Sequence, residues 1–402
     1  MNALIPEESG RSYYGWVVVG VVFLAQLLTF GLVYSFGVFF KPLAEEFDWS
    51  RAVIAGAFSA YAIIHNLIAP LAGRMADRYG PRLVAGIGGF CIGLAMFSMS
   101  YVTAIWQVYV LYAGVFSLGV ASIYVPLMAT VSRWFAQRRG LAIGIAAAGI
   151  GAGTMVFAPL AAWLISSYGW RVAYIVVGVI CWVLFIPIVM FIRQAPKQSL
   201  AVGIENESDS GFTATQALKT RSFWILTAIW IFFSIAIWAM MINMPHLLTD
   251  RGLSLITSGI IVGVVGGVSI VGRIGMGFLS DRIGRKRGLL ISFVLMLAAL
   301  ILFLACDSTG MFFLFAIIFG LGFGGGAGIM PSFPADFFGS KATASILGLM
   351  VVFAGMGVAL GPFAGGRIFD LTGSYYYMVW LCIIASVVAI ILSLLIKSPA
   401  RQ

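Results

Sequence analysis

The sequence predicts an all-α membrane protein with about twelve spanning helices. Of its 402 residues, 61% are hydrophobic and only 9% are charged, and the mean hydropathy is +1.05. Because a soluble domain carries roughly 25% charged residues, most of this surface must face lipid rather than water. Long apolar stretches recur along the whole chain, and each approaches the roughly 20 residues that a helix needs to cross a bilayer.

Only helices and closed barrels can cross the hydrocarbon region of a membrane. The ten-residue alternating segments of barrel strands are missing, which favours helices. The approximate spans of the first half are 14–40, 53–72, 83–101, 106–131, 141–166 and 172–192. Those of the second half are 223–247, 255–279, 288–306, 310–333, 343–366 and 375–396.

The longest polar segment divides the chain into two six-helix bundles, 1–193 and 223–402, joined by a linker at 194–222. Eighteen of the 24 Lys and Arg residues fall in loops on the side of the N-terminus, five fall on the other side, and the last is Arg273. This asymmetry predicts that both termini lie in the cytoplasm. With short loops, it is typical of a bacterial inner-membrane protein, and the first span is too long to be a signal peptide.

The remaining composition argues against an enzyme. The net charge of +10 has its source in the basic loops and does not indicate nucleic acid. The four cysteines have no metal-ligand spacing, and the glycine run at 320–326 lies in an apolar span with no strand before it, so it is not a nucleotide loop. We therefore expect no metal, no cofactor and no catalytic residues.

The two halves repeat each other. Residues 73–82 read GRMADRYGPR and residues 277–286 read GFLSDRIGRK, at an offset of 204. Three further landmarks have nearly the same offset: Pro126 with Pro331, Gly144 with Gly348, and Pro159 with Pro362. A duplicated six-helix unit is indicated, with a substrate site expected between the halves.

This paired G-x-x-x-D-R-x-G-x-[RK] loop resembles the signature loop of the major facilitator superfamily, and the resemblance covers the whole chain. It implies the fold of that superfamily, with about twelve helices in two six-helix bundles. The carboxylates of the motif are suited to pair with arginines, so we expect a conformational latch; a positive-inside anchor that only sets topology is the alternative. The expected members of the latch are Asp77, Arg78, Asp281, Arg282 and Arg133.

A narrower resemblance rests on five segments, namely Tyr14-Gly15-Trp16, the stretch from Gly31 to Lys41, Arg138-Arg139-Gly140, Gly169-Trp170-Arg171, and Arg221 to Trp224. Together these segments resemble the monocarboxylate transporter family and its bacterial relatives, including oxalate/formate exchangers. The resemblance implies transport of lactate, pyruvate or another small carboxylate, with a proton or by exchange.

Arg273 is the strongest single candidate for a substrate-binding residue. A charge within an apolar span costs roughly 2.5–3.5 kcal/mol on insertion scales, and such residues usually face a cavity. Its planar guanidinium can hold a carboxylate with two parallel hydrogen bonds. The alternative is an arginine that snorkels to the nearby end of its helix. The resemblance also places a substrate arginine here.

Three departures from the resembled families sharpen this prediction. Mammalian-type carriers have a lysine where Tyr34 stands and an aspartate where Ser269 stands, and both are credited with proton coupling. Oxalate exchangers have a second cation where Phe353 stands. A single arginine balances one carboxylate, and a dianion would keep an unpaired charge in a low dielectric, so we expect a monocarboxylate.

Further residues complete the expected sites. Tyr34 and Tyr124 are expected to donate hydrogen bonds to the substrate, Ser269 to contact it or to orient Arg273, and Phe353 and Phe30 to form an apolar wall. Ordinary packing is the alternative for each. His65 is a possible proton site, and His246 with Asp250 could form an external gate with Arg251.

The sequence thus predicts a secondary transporter of a small, lactate- or pyruvate-like monocarboxylate that works by alternating access. Proton symport is the expected coupling, and carboxylate exchange of the oxalate/formate type is the alternative. A membrane sensor built on a transporter fold is a remote third reading. The expected partners are the substrate, a proton and the lipid bilayer, and the protein is expected to act as a monomer.

Overall fold

The computed structural model describes residues 6–135, 139–193, 211–339 and 342–396. Within these ranges, eleven helices are long and apolar enough to cross a membrane. One of them, Gly140–Phe191, has 52 residues and is interrupted at Gly169, whose backbone has φ 81° and ψ 162°. Because a non-helical residue with positive φ separates two full-length spans there, the described chain contains twelve spanning segments, which confirms the predicted fold class.

We number these segments in chain order. The first half contains α1 (Pro6–Phe47), α2 (Arg51–Tyr79), α3 (Pro81–Met99), α4 (Ile105–Trp134), α5 (139–168) and α6 (170–191). The second half contains α7 (Arg221–Asp250), α8 (Leu255–Ile283), α9 (Arg285–Leu304), α10 (Thr309–Phe338), α11 (Thr343–Thr372) and α12 (Tyr376–Leu395).

The segment between the halves is only partly described. Residues 194–210 of the predicted linker lie outside the described residues, so its boundaries stay a prediction. After them, the Phe212 amide donates to the Phe338 carbonyl oxygen over 2.8 Å, which attaches the chain to the end of α10. A short helix, Ala214–Leu218, follows and is capped by Thr213.

Local sequence explains where several helices begin and end. The side chains of Ser50, Thr220 and Ser254 each accept a hydrogen bond from a backbone N–H three residues later, which caps α2, α7 and α8. Gly80 and Gly284, the second glycines of the repeated motif, separate α2 from α3 and α8 from α9. Their φ values of 92° and 93° suit glycine, so the motif glycine is required by the turn.

These two motif loops lie at the same end of the molecule, which we call the basic end. The other end, where α2 and α8 begin, is the opposite end. The two halves meet along three helix pairs, α5 with α8, α2 with α11, and α1 with α7. These contacts determine where the molecule is open.

The α5–α8 contact, the glycine seam, is close from the opposite end to the middle of the helices. A Cβ atom added to Gly266 would lie 2.9 Å from the Gly151 carbonyl oxygen. The seam ends at Arg273. Closer to the basic end, the same helical faces carry Gly144 and Gly277, and a Cβ atom added to either would meet nothing within 4 Å.

The α2–α11 contact is likewise close at the opposite end and open toward the basic end. A Cβ atom added to Gly366 would lie 2.7 Å from the Arg51 carbonyl oxygen at the opposite end, and one added to Gly355 would overlap the Asn66 side chain. At Gly348, nearer the basic end, an added Cβ atom meets nothing within 4 Å. The molecule is therefore closed at the opposite end and open at the basic end.

A matched pair of substitutions on α5 tests the equally close packing of α5 against α1 in the first half. We expect Gly153→Ala to destabilise the protein by about 1–3 kcal/mol, because the added Cβ would overlap the Leu27 carbonyl oxygen of α1 and force the helices apart. Gly144→Ala meets no neighbour, and alanine is the better helix former by up to about 1 kcal/mol. Thermal unfolding in detergent should show a lower midpoint for Gly153→Ala alone; equal midpoints would contradict the packing.

Candidate functional site

Arg273 lies on α8 at the point where the glycine seam ends. Its side chain is half-buried, and Nη1 donates a hydrogen bond of 3.3 Å to the Ala147 carbonyl oxygen of α5, in the other half. Its guanidinium carbon lies 5.4 Å from the centre of the Phe323 ring on α10. These contacts point the side chain between the halves rather than along α8 to the basic end, so the guanidinium does not snorkel.

The described residues leave this charge without a counter-ion. None of their carboxylates lies within 4 Å of Arg273. A cation inside a membrane protein is stable only where it is hydrated or paired. A half-buried, uncompensated guanidinium beside an opening between two halves is therefore suited to a mobile anion.

Aromatic rings from both halves surround the guanidinium. Tyr34 of α1 stacks on Trp238 of α7, with ring centroids 5.0 Å apart and planes within 5° of parallel. Phe323, which packs against Arg273, lies 6.5 Å from the Tyr34 ring. These three rings form an apolar layer on the side of the guanidinium that faces the opposite end.

Trp238 and Phe323 were missed by the sequence reasoning. A signal for Trp238 was available, because it follows Tyr34 by 204 residues, the offset of the internal repeat. The two rings are thus equivalent positions of the two halves, and they stack on each other where the halves meet. Phe323 belongs to the glycine-rich run of α10 and had no such signal.

Tyr124 of α4 completes the surroundings of Arg273 on the other side. Tyr124 and Tyr34 are both close enough to interact electrostatically with the guanidinium. Phe30 makes an edge-to-face contact with Tyr124, with centroids 5.3 Å apart. Arg273, Tyr34, Tyr124 and Phe30 are therefore brought together, and their roles in substrate binding stay a prediction.

Ser269 and Phe353 lie differently from the other candidates. Ser269 is fully buried, and its hydroxyl donates 2.7 Å to the Gly266 carbonyl oxygen of its own helix. Phe353 is half-buried on α11 and packs against Trp224 near the start of α7, with centroids 5.4 Å apart. Neither side chain makes a polar or ring contact with Arg273 in this conformation. Ser269 serves helix packing, and Phe353 lies toward the basic end, beside Trp224.

His65 lies on α2 next to a tyrosine that the sequence reasoning did not single out. Its ring is 5.8 Å from that of Tyr61, and its Nε2 atom is buried with no hydrogen-bond partner among the described residues. The Phe58 ring lies 5.2 Å from that of Tyr61 and 5.4 Å from that of Trp238. This part of α2 therefore packs against the ring that stacks on Tyr34.

A cluster at the opposite end joins the two halves. The Arg51 guanidinium at the start of α2 holds both carboxylate oxygens of Asp250 at the end of α7, over 2.6 and 3.2 Å. Asp370 at the end of α11 accepts hydrogen bonds of 3.0 and 2.8 Å from the backbone N–H groups of Arg51 and Ala52. The N-terminus of α2, with its positive dipole end, is therefore held by two carboxylates of the other half.

Aromatic rings shield this opposite-end cluster from water. The Arg51 guanidinium lies 3.5 Å from the centre of the Phe369 ring and 5.2 Å from that of Tyr375. Burial raises the pKa of Tyr375, in the α11–α12 loop, to about 12, so its phenol stays neutral. His246 is buried nearby on α7, with its ring 4.3 Å from Phe40.

The expected gate pairing with Arg251 was wrong. Arg251 donates to the carbonyl oxygens of Phe303 and Cys306 over 3.0 and 3.4 Å, within its own half. Asp250 pairs with Arg51 instead, because the end of α7 meets the start of α2 where the halves close.

The motif residues at the basic end pair inside their own halves. Asp77 of α2 accepts a bond of 2.6 Å from Arg133 of α4. Arg78 and Arg282 lie over the rings of Tyr79 and Phe278. In the second half, Arg285 pairs with Asp336 over 3.1 Å, and Asp281 has no salt bridge with a described residue. Because the Asp77–Arg133 pair forms while the basic end is open, its role as a latch stays a prediction.

Two six-helix halves with a cation between them are typical of membrane transporters. The family model of the Major Facilitator Superfamily matches residues 22–282 and 274–402. The chain belongs to this superfamily and is one of its transporters. This confirms the resemblance that the repeated loops indicated.

Three named transporters match the chain along most of its length. The chain is 27% identical over 378 residues to monocarboxylate transporter 13 of Rattus norvegicus, which covers 92% of this chain and 85% of the relative. It is 29% identical over 385 residues to the oxalate:formate antiporter of Oxalobacter formigenes, which covers 89% and 88%. Monocarboxylate transporter 2 of Homo sapiens is 25% identical over 402 residues, covering 94% and 83%.

Solved structures share the fold. A bacterial homologue of the human lysosomal transporter Spinster, in an inward-facing and unoccupied conformation, superposes with a TM-score of 0.76. The sequences are 17% identical, and the match covers 96% of this chain and 99% of the other. This similarity establishes the fold alone.

Proposed function

We propose that the protein is a secondary transporter of a small monocarboxylate, similar to lactate or pyruvate, that works by alternating access. The observation that carries this proposal is the uncompensated Arg273 guanidinium between the two halves. The relatives named as monocarboxylate transporters support this class of substrate, and the one named as an oxalate:formate antiporter supports small carboxylates more broadly. In this proposal, Arg273 holds the carboxylate with two hydrogen bonds.

The surroundings of Arg273 favour one carboxylate with a short apolar tail. Arg273 is the only Lys or Arg within the apolar interior of a span, so a second carboxylate would find no cation. Tyr34 and Tyr124 are hydroxyl donors close enough to interact with the charge. The rings of Phe30, Trp238 and Phe323 offer the tail an apolar surface.

The open basic end is proposed to face the cytoplasm, because the loops there carry most of the Lys and Arg residues. A bacterial inner membrane fits the short loops. Binding of one carboxylate neutralises Arg273, and the halves can then close over the site without burying a bare charge. Breaking the opposite-end cluster would complete the cycle and open the other side.

Proton symport is the first proposed coupling, with His65 as the proton site. Its buried Nε2 atom lacks a described partner, and its neighbour Tyr61 packs through Phe58 against Trp238, a ring of the proposed substrate site. An imidazole ring can take up and release a proton. Protonation of His65 together with substrate binding would couple proton movement to carboxylate transport.

Exchange of carboxylates is the second candidate, and one observation favours it. Arg273 has no counter-ion among the described residues, so an empty carrier would have to close around an unpaired charge. A carrier that closes only when loaded exchanges one carboxylate for another.

Uptake of labelled lactate into proteoliposomes tests both candidates. We expect lactate to enter and an inward proton gradient to stimulate the uptake. Uptake that requires a carboxylate inside the vesicles and does not respond to the proton gradient would indicate exchange instead of symport. If lactate, pyruvate and formate neither enter nor exchange, the proposed substrate class is wrong.

The proton site has its own prediction. We expect His65→Gln to remove most of the stimulation by the proton gradient while lactate counterflow continues, because counterflow needs no net proton movement. His246→Gln changes the only other histidine and is the matched control; it should keep the ratio of gradient-driven to counterflow uptake. An unchanged ratio in His65→Gln would exclude His65 as the proton site.

A further inference from the structure

A groove on the outer surface of the first half runs between α3 and α6. It consists of two adjoining cavities of about 580 and 440 Å³, which share Gly86, Phe90 and Val189. Phe90 is 58% exposed and Ile186, on the α6 side, is 64% exposed. Large apolar side chains this exposed within spanning helices face lipid, so the groove opens to the membrane.

Two glycines of α3 line the groove. A Cβ atom added to Gly86 would lie 3.5 Å from Val189, at ordinary contact distance, and one added to Gly89 would lie 2.6 Å from the Phe185 ring. Trp182 closes the far end, where its indole N–H donates 3.1 Å to the Phe90 carbonyl oxygen. The floor is therefore backbone and the walls are apolar.

The mouth of the groove, at the basic end, carries a cation that makes no polar contact with a described residue. Arg82 lines the first cavity, is exposed, and has no ion pair or hydrogen bond with a described residue. From Arg82 to Phe90 the groove follows eight residues of helix, or about 12 Å at 1.5 Å per residue. The unpaired charge of Arg82 therefore lies at the membrane interface, and the apolar groove extends from it into the hydrocarbon region.

The internal repeat provides a comparison inside the same molecule. At the offset of 204, Gly86 and Gly89 correspond to Leu290 and to Phe293, which is buried against Phe233 of α7. Arg82 corresponds to Lys286, whose ammonium group is engaged by the carbonyl oxygens of Leu394 and Ile396 over 2.8 and 3.0 Å. The second half therefore has large side chains and an occupied cation where the first half has glycines and a free one.

We propose that this groove is a binding site for an anionic phospholipid. The phosphate of the headgroup pairs with Arg82, and one acyl chain lies along Gly86 toward Trp182. Charge complementarity selects this occupant, because the mouth carries one unpaired positive charge and the trough carries none. The site is independent of the substrate site between the halves.

Native mass spectrometry of the full-length protein in detergent tests this site, with phosphatidylglycerol and phosphatidylcholine of identical acyl chains as the probes. We expect tighter binding of phosphatidylglycerol. Arg82→Gln should lower this preference about fivefold, as one basic residue near a charged headgroup predicts. Arg74→Gln removes the same charge from an exposed position outside the groove and should keep the preference.

A second variant addresses the trough. Gly86→Leu introduces the residue that the second half carries at Leu290, so the fold should tolerate it, and we expect the bound phosphatidylglycerol to be lost or weakened severalfold. Gly310→Leu, at an exposed glycine with no neighbour within 4 Å, is its control. Equal binding of both lipids, or equal losses in Arg82→Gln and Arg74→Gln, would overturn the proposal. A dimer that dissociates with Gly86→Leu would assign the groove to a second copy of the chain instead.

Discussion

Replacing Arg273 with glutamine is expected to lower the affinity for lactate by a factor between about thirty and a few thousand. Removing one partner of a desolvated, hydrogen-bonded charge pair costs about 2–5 kcal/mol, and about 1.4 kcal/mol corresponds to a factor of ten. Arg273→Lys keeps the charge but loses the planar fork that binds both carboxylate oxygens. We therefore expect the lysine variant to lie between wild type and Arg273→Gln.

Binding can be followed through the fluorescence of the tryptophans, because Trp238 lies beside the proposed site, and transport through uptake of labelled lactate. Arg367→Gln is a suitable control, since Arg367 is exposed on α11 and forms no ion pair with a described residue. Normal lactate affinity in Arg273→Gln would remove Arg273 from the substrate site. Loss of binding together with a lower unfolding midpoint would point to a structural role for its bond to Ala147.

Replacing Arg51 with glutamine is expected to shift the protein toward a state that is open at the opposite end. Arg51 and Asp250 have side chains that are only 18% and 29% exposed, so their bidentate pair is screened less than an ordinary surface pair. The variant also loses the contact with Phe369, worth roughly 0.5–1 kcal/mol or more. Losses of about 1.4 kcal/mol together would change the closed-to-open ratio tenfold.

Spin labels at Thr103 and Asp307, exposed loop positions of the two halves at the opposite end, would report this shift as a longer distance between the labels. Asp250→Asn removes the charged pair but keeps the ring contact, so its shift should be smaller. The matched control is Arg171→Gln, because Arg171 pairs with Glu46 within one half over 2.5 Å. A distance distribution that is unchanged in Arg51→Gln would show that the cluster does not hold the halves together.

The fold was predictable because its signals are written into consecutive residues. Apolar runs long enough to span, the repeated loop at 73–82 and 277–286, and the asymmetry of Lys and Arg need no knowledge of which helices touch. Arg273 was predictable for the same reason, since a lone charge inside an apolar run is visible without a structure. The break at Gly169 also falls between two predicted spans.

The contacts between the halves were harder to predict, because they join residues far apart in the sequence. Asp250 stands next to Arg251 in the chain, yet it pairs with Arg51, about 200 residues away. No periodicity within one helix specifies which ends of α2 and α7 meet. The stacking of Tyr34 on Trp238 is an intermediate case, because the repeat offset relates the two positions but not their contact.

The glycine seam has an evolutionary consequence. Because backbone meets backbone along α5 and α8, few side chains have to change rotamer when the halves part, and the resistance to motion is concentrated in a few polar contacts such as the one between Arg51 and Asp250. These contacts lie far from the residues around Arg273. Single substitutions in the opposite-end cluster can therefore change the turnover rate or the temperature adaptation of such a transporter. Its substrate specificity is preserved, because the residues around Arg273 do not change.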